Sequence, residues 1–184
     1  MTQVPAGLRE PPADARSVLL VPYTADKIHP QTITTVEAYT PTTTHIIWRQ
    51  LDPADITAYA RLLVEAWAWP GDLTIIEHDI SIRPYVVEEL AACSQPWCGF
   101  PYAIGQQLLV CLGCTRFSAH LKATQPDLMA RAAAVGSEQD GGGVPAADWR
   151  RMDVRIGALL EQLGHQRHAH WPPVEHLHVY PQGG

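Results

Sequence analysis

The sequence predicts an α/β fold: one domain with a mostly parallel sheet flanked by helices. Three observations carry this. Apolar runs of strand length alternate with segments of helical periodicity through the first half of the chain, the pattern of crossover-connected parallel strands. Those runs are unbroken rather than alternating, as expected where helices cover both faces of a sheet. The length, 184 residues with a hydrophobic fraction of 46%, suits a single domain with a sizeable core.

The elements follow in order. Residues 1–16 include MTQVPAGLREPPADAR, rich in proline, and are expected to form a disordered arm before a domain spanning 17–181. SVLLVPYT (17–24) reads as a buried strand ending in a polar turn. Pro30 opens the helix PQTITTVEAY at a position where its missing N–H costs nothing. THIIWRQL (44–51) is a second strand. Asp52-Pro53 fits an N-cap followed by proline, and Ile56, Tyr59, Leu63 and Ala66 or Trp67 mark the apolar face of the next helix. Pro70-Gly71 ends it. LTIIEHDI (73–80) is a third strand, and Pro84 starts the helix PYVVEELAAC.

The second half is less regular. QQLLVCLGCTRFSAHL joins an apolar strand to a helix around Ser118–Met129. SEQDGGGVPAAD, with Gly141–Gly143 at its centre, reads as a flexible loop over 137–147 that is placed to act as a lid. Asp148 is positioned to cap a helix from Trp149 to Leu163, and Gly164 to end it. HLHVYP (176–181) is a last short strand.

Composition narrows the function. The net charge is -6, which argues against a general polyanion binder, although Arg116, Arg131, Arg150, Arg151, Arg155 and Arg167 leave room for a local basic face. No run approaches the ~18 apolar residues of a membrane span. The N-terminus lacks the apolar block of a signal peptide. A cytoplasmic location with reduced thiols is therefore expected.

Several residues could carry chemistry. Glu77, His78 and Asp79 stand where an apolar strand ends, and ligands in open α/β sheets sit at the carboxyl ends of strands. A carboxylate there suits Mg²⁺ or Mn²⁺, which favour oxygen ligands and substrate phosphates. Glu77 and Asp79 share a face if the strand persists. The plainer reading is a polar strand end with Asp79 capping a turn. On the late helix, Trp149, Met152, Ile156, Leu160 and Leu163 form an apolar stripe. Asp153 falls at its edge, while Arg150, Arg151 and Arg155 point elsewhere. An inward carboxylate needs a partner or a task; the competing reading is an internal salt bridge.

Five of the nine histidines fall in the last twenty residues: His165, His168, His170, His176 and His178. His176 and His178 share a strand face, and one of them is a candidate metal ligand beside Asp79. The cysteines run C-x4-C-x12-C-x2-C from Cys93 through Cys98 and Cys111 to Cys114, a spacing that could ligate structural Zn²⁺. The competing reading is core packing. A non-catalytic zinc module built from these cysteines, or from the histidine cluster, is the rival to an enzyme. His120, Trp97 and Tyr102 are candidate pocket residues; Phe100 and Phe117 are assigned to packing.

The order of these pieces resembles the nucleotide-sugar glycosyltransferases of the GT-A fold, which have a Rossmann-like sheet, and among them small, phage-type, family-2-like members. The resemblance spans roughly residues 17–180. SVLLVPYT is similar to the first nucleotide-binding strand and turn. LTIIEHDISIRPYVVEEL is similar to the metal-binding strand, with Glu77-His78-Asp79 at the place of Asp-x-Asp. LGCTRFSAHL resembles the segment entering the acceptor region, and MDVRIGALLEQLGHQRHAHWPPVEHLH the late helix and a strand ending in His. The resemblance implies a metal-dependent transferase. Asp79 would hold Mn²⁺ or Mg²⁺ with His178 or His176 and with Glu77 in support. Asp153 would be the base of an inverting enzyme. Pro22, Tyr23, Thr24, His78 and Arg49 would approach the donor, a UDP-sugar being favoured. Trp97, Tyr102, Gly113, Arg116 and Trp149 would border the acceptor, a hydroxyl on DNA, such as a hydroxymethylated base, or on a small molecule. Two departures stand out. The motif begins with Glu77 rather than Asp, and the second strand ends in Arg49 and Gln50, with an acid only at Asp52.

Overall fold

The computed structural model describes residues 10–134 and 152–177. In chain order the strands are β1 (Ser17–Tyr23), β2 (His45–Gln50), β3 (Asp72–Ile76), β4 (Ile80–Ser81), β5 (Trp97–Gly99), β6 (Tyr102–Ile104), β7 (Gln107–Leu109), β8 (Cys114–Phe117), β9 (His168–Ala169) and β10 (Glu175–His176). The helices are α1 (Pro30–Tyr39), α2 (Ala58–Trp67), α3 (Val86–Ala92), α4 (Ala119–Thr124), α5 (Leu128–Ala134) and α6 (Met152–Gln162). The main sheet has the order β2-β1-β3-β8-β5-β9. Only β8 runs against the others, pairing antiparallel with β3 and β5. β1 pairs parallel with β2 and β3, and β5 with β9. β4 with β10, and β6 with β7, form two small antiparallel ladders.

The unbroken apolar strands bury both faces, as the sequence implied. Along β1, Val18 and Leu20 enter one core with α2, α5 and α6, represented by Leu63, Met129 and Ile156. Leu19 and Val21 enter the other, with Ile33 and Val36 of α1 and Val86 and Leu90 of α3. The period-2 alternation of strand side chains thus divides one apolar run between two layers. Each such fully buried aliphatic side chain stabilises the fold by roughly 1.5–3 kcal/mol.

Pro30 occupies the first turn of α1, and His29 caps it through Nδ1, which accepts from Gln31 N at 3.2 Å. Gly71 makes the break before β3 with φ 67°, and a Cβ there would come within 2.5 Å of Ala15 O; only glycine fits. Gly164 follows α6 with φ 81°. Phe100 and Phe117 are fully buried.

Five expectations are corrected. The third strand does not continue to residue 80. It ends at Ile76, and Ile80 N donates to Glu77 O (3.1 Å), turning the chain. Asp52 does not cap a helix. Its Oδ1 accepts from Ala54 N, Asp55 bonds Thr57, and α2 begins at Ala58. That leaves Ile56 outside the helix and exposed. α3 starts at Val86 rather than Pro84, after Tyr85 with φ 71°. The helix expected over Ser118–Met129 is two, α4 and α5, separated around Pro126, because proline lacks the N–H and displaces its predecessor from helical geometry. Arg155 is buried rather than outward.

Residues 1–9 of the arm, the glycine loop 137–147, Asp148, Trp149 and His178 lie outside the described residues. Among the described residues no helix is long and apolar enough to cross a membrane.

Candidate active site

A cleft of ≈ 410 Å³ opens at the carboxyl ends of β1 and β3. Pro22, Tyr23 and Thr24 line one wall, from the end of β1. Leu51, Asp52 and Asp55 follow β2 into a second wall. The turn Glu77-His78-Asp79 forms the floor, Tyr102 and Cys111 the far side, and Asp153 and His176 close it.

The floor is held by backbone from three directions. Glu77 N donates to Gly113 O (3.0 Å), His29 N donates to His78 O (2.9 Å), and Leu177 N donates to Asp79 O (2.7 Å). The chain turn therefore sits between β8, α1 and the end of β10. β4 continues from it and pairs with β10, placing His176 opposite Ile80. This register delivers His176 to Asp79.

Asp79 is 7% exposed. Its Oδ2 lies 3.3 Å from His176 Nε2 and 3.9 Å from His78 Nε2. The other ring nitrogen of His176, Nδ1, is 2.7 Å from Ala103 O. A carbonyl only accepts, so Nδ1 carries the proton. In the neutral ring Nε2 then presents a lone pair to a carboxylate oxygen. Two acceptors at 3.3 Å repel unless a proton or cation lies between them. A histidine that donates one N–H to a backbone carbonyl while turning the other nitrogen toward a carboxylate has the arrangement common to metal ligands. The donor set, carboxylate and imidazole with an open cleft beyond, is one that would suit Mn²⁺ or Mg²⁺.

Glu77 differs from Asp79. Its Oε1 accepts from Tyr59 Oη at 2.8 Å. Burial raises its pKa from 4.5 to about 7; the Tyr59 hydrogen bond opposes the rise, and Asp79 and Asp153 add to it. Near pH 7 it exchanges its proton readily, whereas a strand-end acid in water would be fully ionised. Asp153 stands across the cleft on α6, with Oδ1 accepting from Val154 N (2.7 Å). The Cys111 thiol is pushed up to about 12 by burial and then by Asp153, to which it hydrogen-bonds. It remains a neutral thiol. Tyr102 Oη accepts from Gly113 N (3.1 Å), and burial keeps the phenol protonated.

The structure thus brings together Pro22, Tyr23, Thr24, Glu77, His78, Asp79, Tyr102, Asp153 and His176, which are separated widely in sequence. Five expected site residues lie elsewhere. Arg49 is engaged by Glu65 through two bonds of 2.6 and 2.9 Å. Trp97 is in the core, stacked on Phe117 with the Arg167 guanidinium 4.4 Å above its ring. Arg116 is buried, where Nη2 and Nε donate to Asp72 Oδ2 and Nη1 to the carbonyls of Cys93 and Gln95; it anchors the sheet. Gly113 lies behind the cleft wall, where a Cβ would meet Tyr102 Oη at 2.6 Å. His120 is exposed on α4.

Sequence reading missed Tyr59, Asp55, Cys111 and Lys27. The spacing of Tyr59 puts it on the apolar face of the helix, yet it lines the cleft and its hydroxyl donates to Glu77 Oε1. The four cysteines form no common ligand set among the described residues. Cys111 faces the cleft, while Cys98 and Cys114 are fully buried with thiols pushed up to about 12, principally by burial. Core packing accounts for Cys98 and Cys114 but not for Cys93 and Cys111, which are only partly buried.

An open α/β sheet with one reversed strand, flanked by helices and opening a carboxylate- and histidine-lined cleft at its strand ends, defines a GT-A-like glycosyltransferase fold. Solved structures share it. A glycosyltransferase involved in the glycosylation of the major capsid of PBCV-1 superposes with TM-score 0.53 at 11% identity, covering 85% of this chain and 82% of that one. The apo-form glycosyltransferase GlyE of Streptococcus pneumoniae TIGR4 gives TM-score 0.53 at 7% identity, covering 85% of this chain but 45% of that one. The chain thus spans less than half of that larger protein. No protein-family model and no curated protein sequence matches the chain. At these identities the likeness concerns the fold.

Proposed function

We propose that the protein transfers a sugar from a nucleotide-diphosphate donor to a hydroxyl acceptor, with Mn²⁺ or Mg²⁺ held by Asp79 and His176. The observation that carries this reading is the Asp79–His176 pair, with its fixed Nδ1–H, on the floor of a cleft that also holds Asp153. A divalent ion there supplies charge neutralisation for the departing diphosphate. The pyrophosphate end of the donor lies over the floor, beside Lys27 and His78. The nucleoside extends along Pro22, Tyr23 and Thr24 toward Asp52, the acid nearest the end of β2, which suits a ribose hydroxyl or a base N–H. A UDP-sugar is the favoured donor.

The acceptor hydroxyl attacks the anomeric carbon, the bond from that carbon to the diphosphate oxygen breaks, and Asp153 takes the hydroxyl proton. Glu77, braced by Tyr59, stands behind Asp79 as a second carboxylate that ionises as positive charge arrives. Asp52, Asp55, Glu77, Asp79 and Asp153 make the cleft acidic. Repulsion of a phosphate backbone by this lining favours a small-molecule or glycan hydroxyl over a DNA base. His178, outside the described residues, is a further candidate ligand beside His176.

Donor turnover with Mn²⁺ tests the reading. Asp79→Asn and metal chelation should each abolish it. Undiminished turnover in Asp79→Asn with the metal chelated removes the basis of the proposal.

A further inference from the structure

A second cluster of metal-ligating side chains lies apart from the cleft. Cys93 ends α3 as its C-cap residue. His168 and His170 belong to the edge segment containing β9. One ligand atom from each of the three lies within 4.8 Å of the others. We propose that Cys93, His168 and His170 bind a zinc-type cation that clamps the edge strand β9 to the end of α3.

The scaffold places all three. β9 pairs parallel with β5, setting Cys98 beside His168 and Gly99 beside Ala169. His170 N donates to Gly99 O (2.9 Å), extending that ladder. Residues two apart share a strand face, so both rings stand on one side, their centroids 4.8 Å apart and perpendicular within 2° at 88°. The Phe100 ring, 5.0 Å from His170, backs the pair. Cys93 is fixed from below by the Arg116 guanidinium, which donates to Cys93 O (3.1 Å) and Gln95 O (2.9 Å).

The chemistry fits zinc. One thiolate and two imidazoles are borderline-soft donors that suit it. Tetrahedral bonds of about 2.0–2.3 Å put ligand atoms roughly 3.5 Å apart, so small side-chain rotations close the set. Among the described residues, His170 Nε2 is buried without a hydrogen-bond partner. Native structures rarely leave such a nitrogen unsatisfied, and binding a metal through it would satisfy it. The positive charges nearby are already countered: Arg83 by Glu89 and Arg116 by Asp72. Loss of the Cys93 proton on metal binding supplies one negative charge. His168 is exposed, so the fourth position faces solvent and takes water. A two-residue edge strand has few hydrogen bonds of its own, and this clamp supplies a fixed anchor near the end of the described chain.

Cobalt substitution tests the site without reference to the cleft. The full-length protein, stripped with chelator and titrated with Co²⁺, should develop a thiolate-to-cobalt charge-transfer band that saturates at one equivalent of thiolate-bound metal, whatever the cleft binds, and Asp79→Asn should develop the same band. Cys93→Ser should lose the band, and His170→Ala should weaken Co²⁺ and Zn²⁺ binding more than the ~100-fold typical of outer-shell changes. Zn²⁺ should also shield Cys93 from alkylation in the unaltered protein, a readout by mass spectrometry that needs no variant. A band that survives Cys93→Ser, or Cys93 alkylation unaffected by Zn²⁺, overturns the proposal. Loss of the band in Asp79→Asn alone would assign the metal to the cleft and overturn it equally.

Discussion

Replacing Glu77 by glutamine should make the metal-free protein more stable at alkaline pH and leave it unchanged at acid pH. The side chain is enclosed between Tyr59, Asp79 and Asp153, and its pKa rises from 4.5 to about 7, chiefly through burial. The folded state therefore holds the proton more tightly than the unfolded state. By linkage, the stability contributed by Glu77 is fully present below pH ~4.5 and is lost as pH rises through about 7. Each tenfold change in proton affinity is worth about 1.4 kcal/mol, so ionising Glu77 costs the fold ~3 kcal/mol by pH 8. Glutamine cannot ionise, and its carbonyl still accepts from Tyr59. Urea unfolding in the presence of chelator, from pH 5 to pH 8, measures the difference. The variant and the unaltered protein should have similar midpoints at pH 5. At pH 8 the variant should exceed it by ~3 kcal/mol, roughly 1 M in urea for a chain of this size. A difference that is the same at both pH values would refute the argument, because it would mean that Glu77 is ionised throughout.

Asp153→Asn should lower transfer by the roughly 10²–10⁴-fold of a lost general base while leaving donor affinity within a few fold, as read by steady-state kinetics and equilibrium binding. Gly113→Ala should displace the Tyr102 ring, because the new Cβ would meet Tyr102 Oη at 2.6 Å; a loss of about 1–3 kcal/mol in unfolding free energy and a raised KM are expected.

The sheet was legible because its strands are buried on both faces, which forces continuous apolar runs, and because Pro30 and Gly71 mark boundaries by sterics alone. Leu73, Ile75 and Ile76 led directly to the floor of the cleft. The turn after Ile76 was not legible: nothing local requires Ile80 N to bond Glu77 O, and the turn is set by Gly113, His29 and Leu177 arriving from distant parts of the chain. Tyr59 shows a different limit. Its spacing marks it as core, and only the fold reveals that its hydroxyl meets Glu77. Arg116 and Trp97 looked like site residues by type, but β8 and β5 lie between other strands, so their side chains serve the interior. Asp153 and His176 were identified by face and residue type; the meeting of His176 with Asp79 depends on the β4–β10 register, and Asp153 arrives on α6. The cysteine spacing misled because two of the four thiols fill the core, while Cys93 turns toward histidines more than seventy residues away.

Calorimetric titration of the protein with a UDP-sugar, with Mn²⁺ and with chelator, tests the central claim most directly. The account predicts saturable binding that requires Mn²⁺, is lost in Asp79→Asn, and persists in Asp153→Asn. Binding of equal strength in chelator, or unchanged in Asp79→Asn, would contradict it.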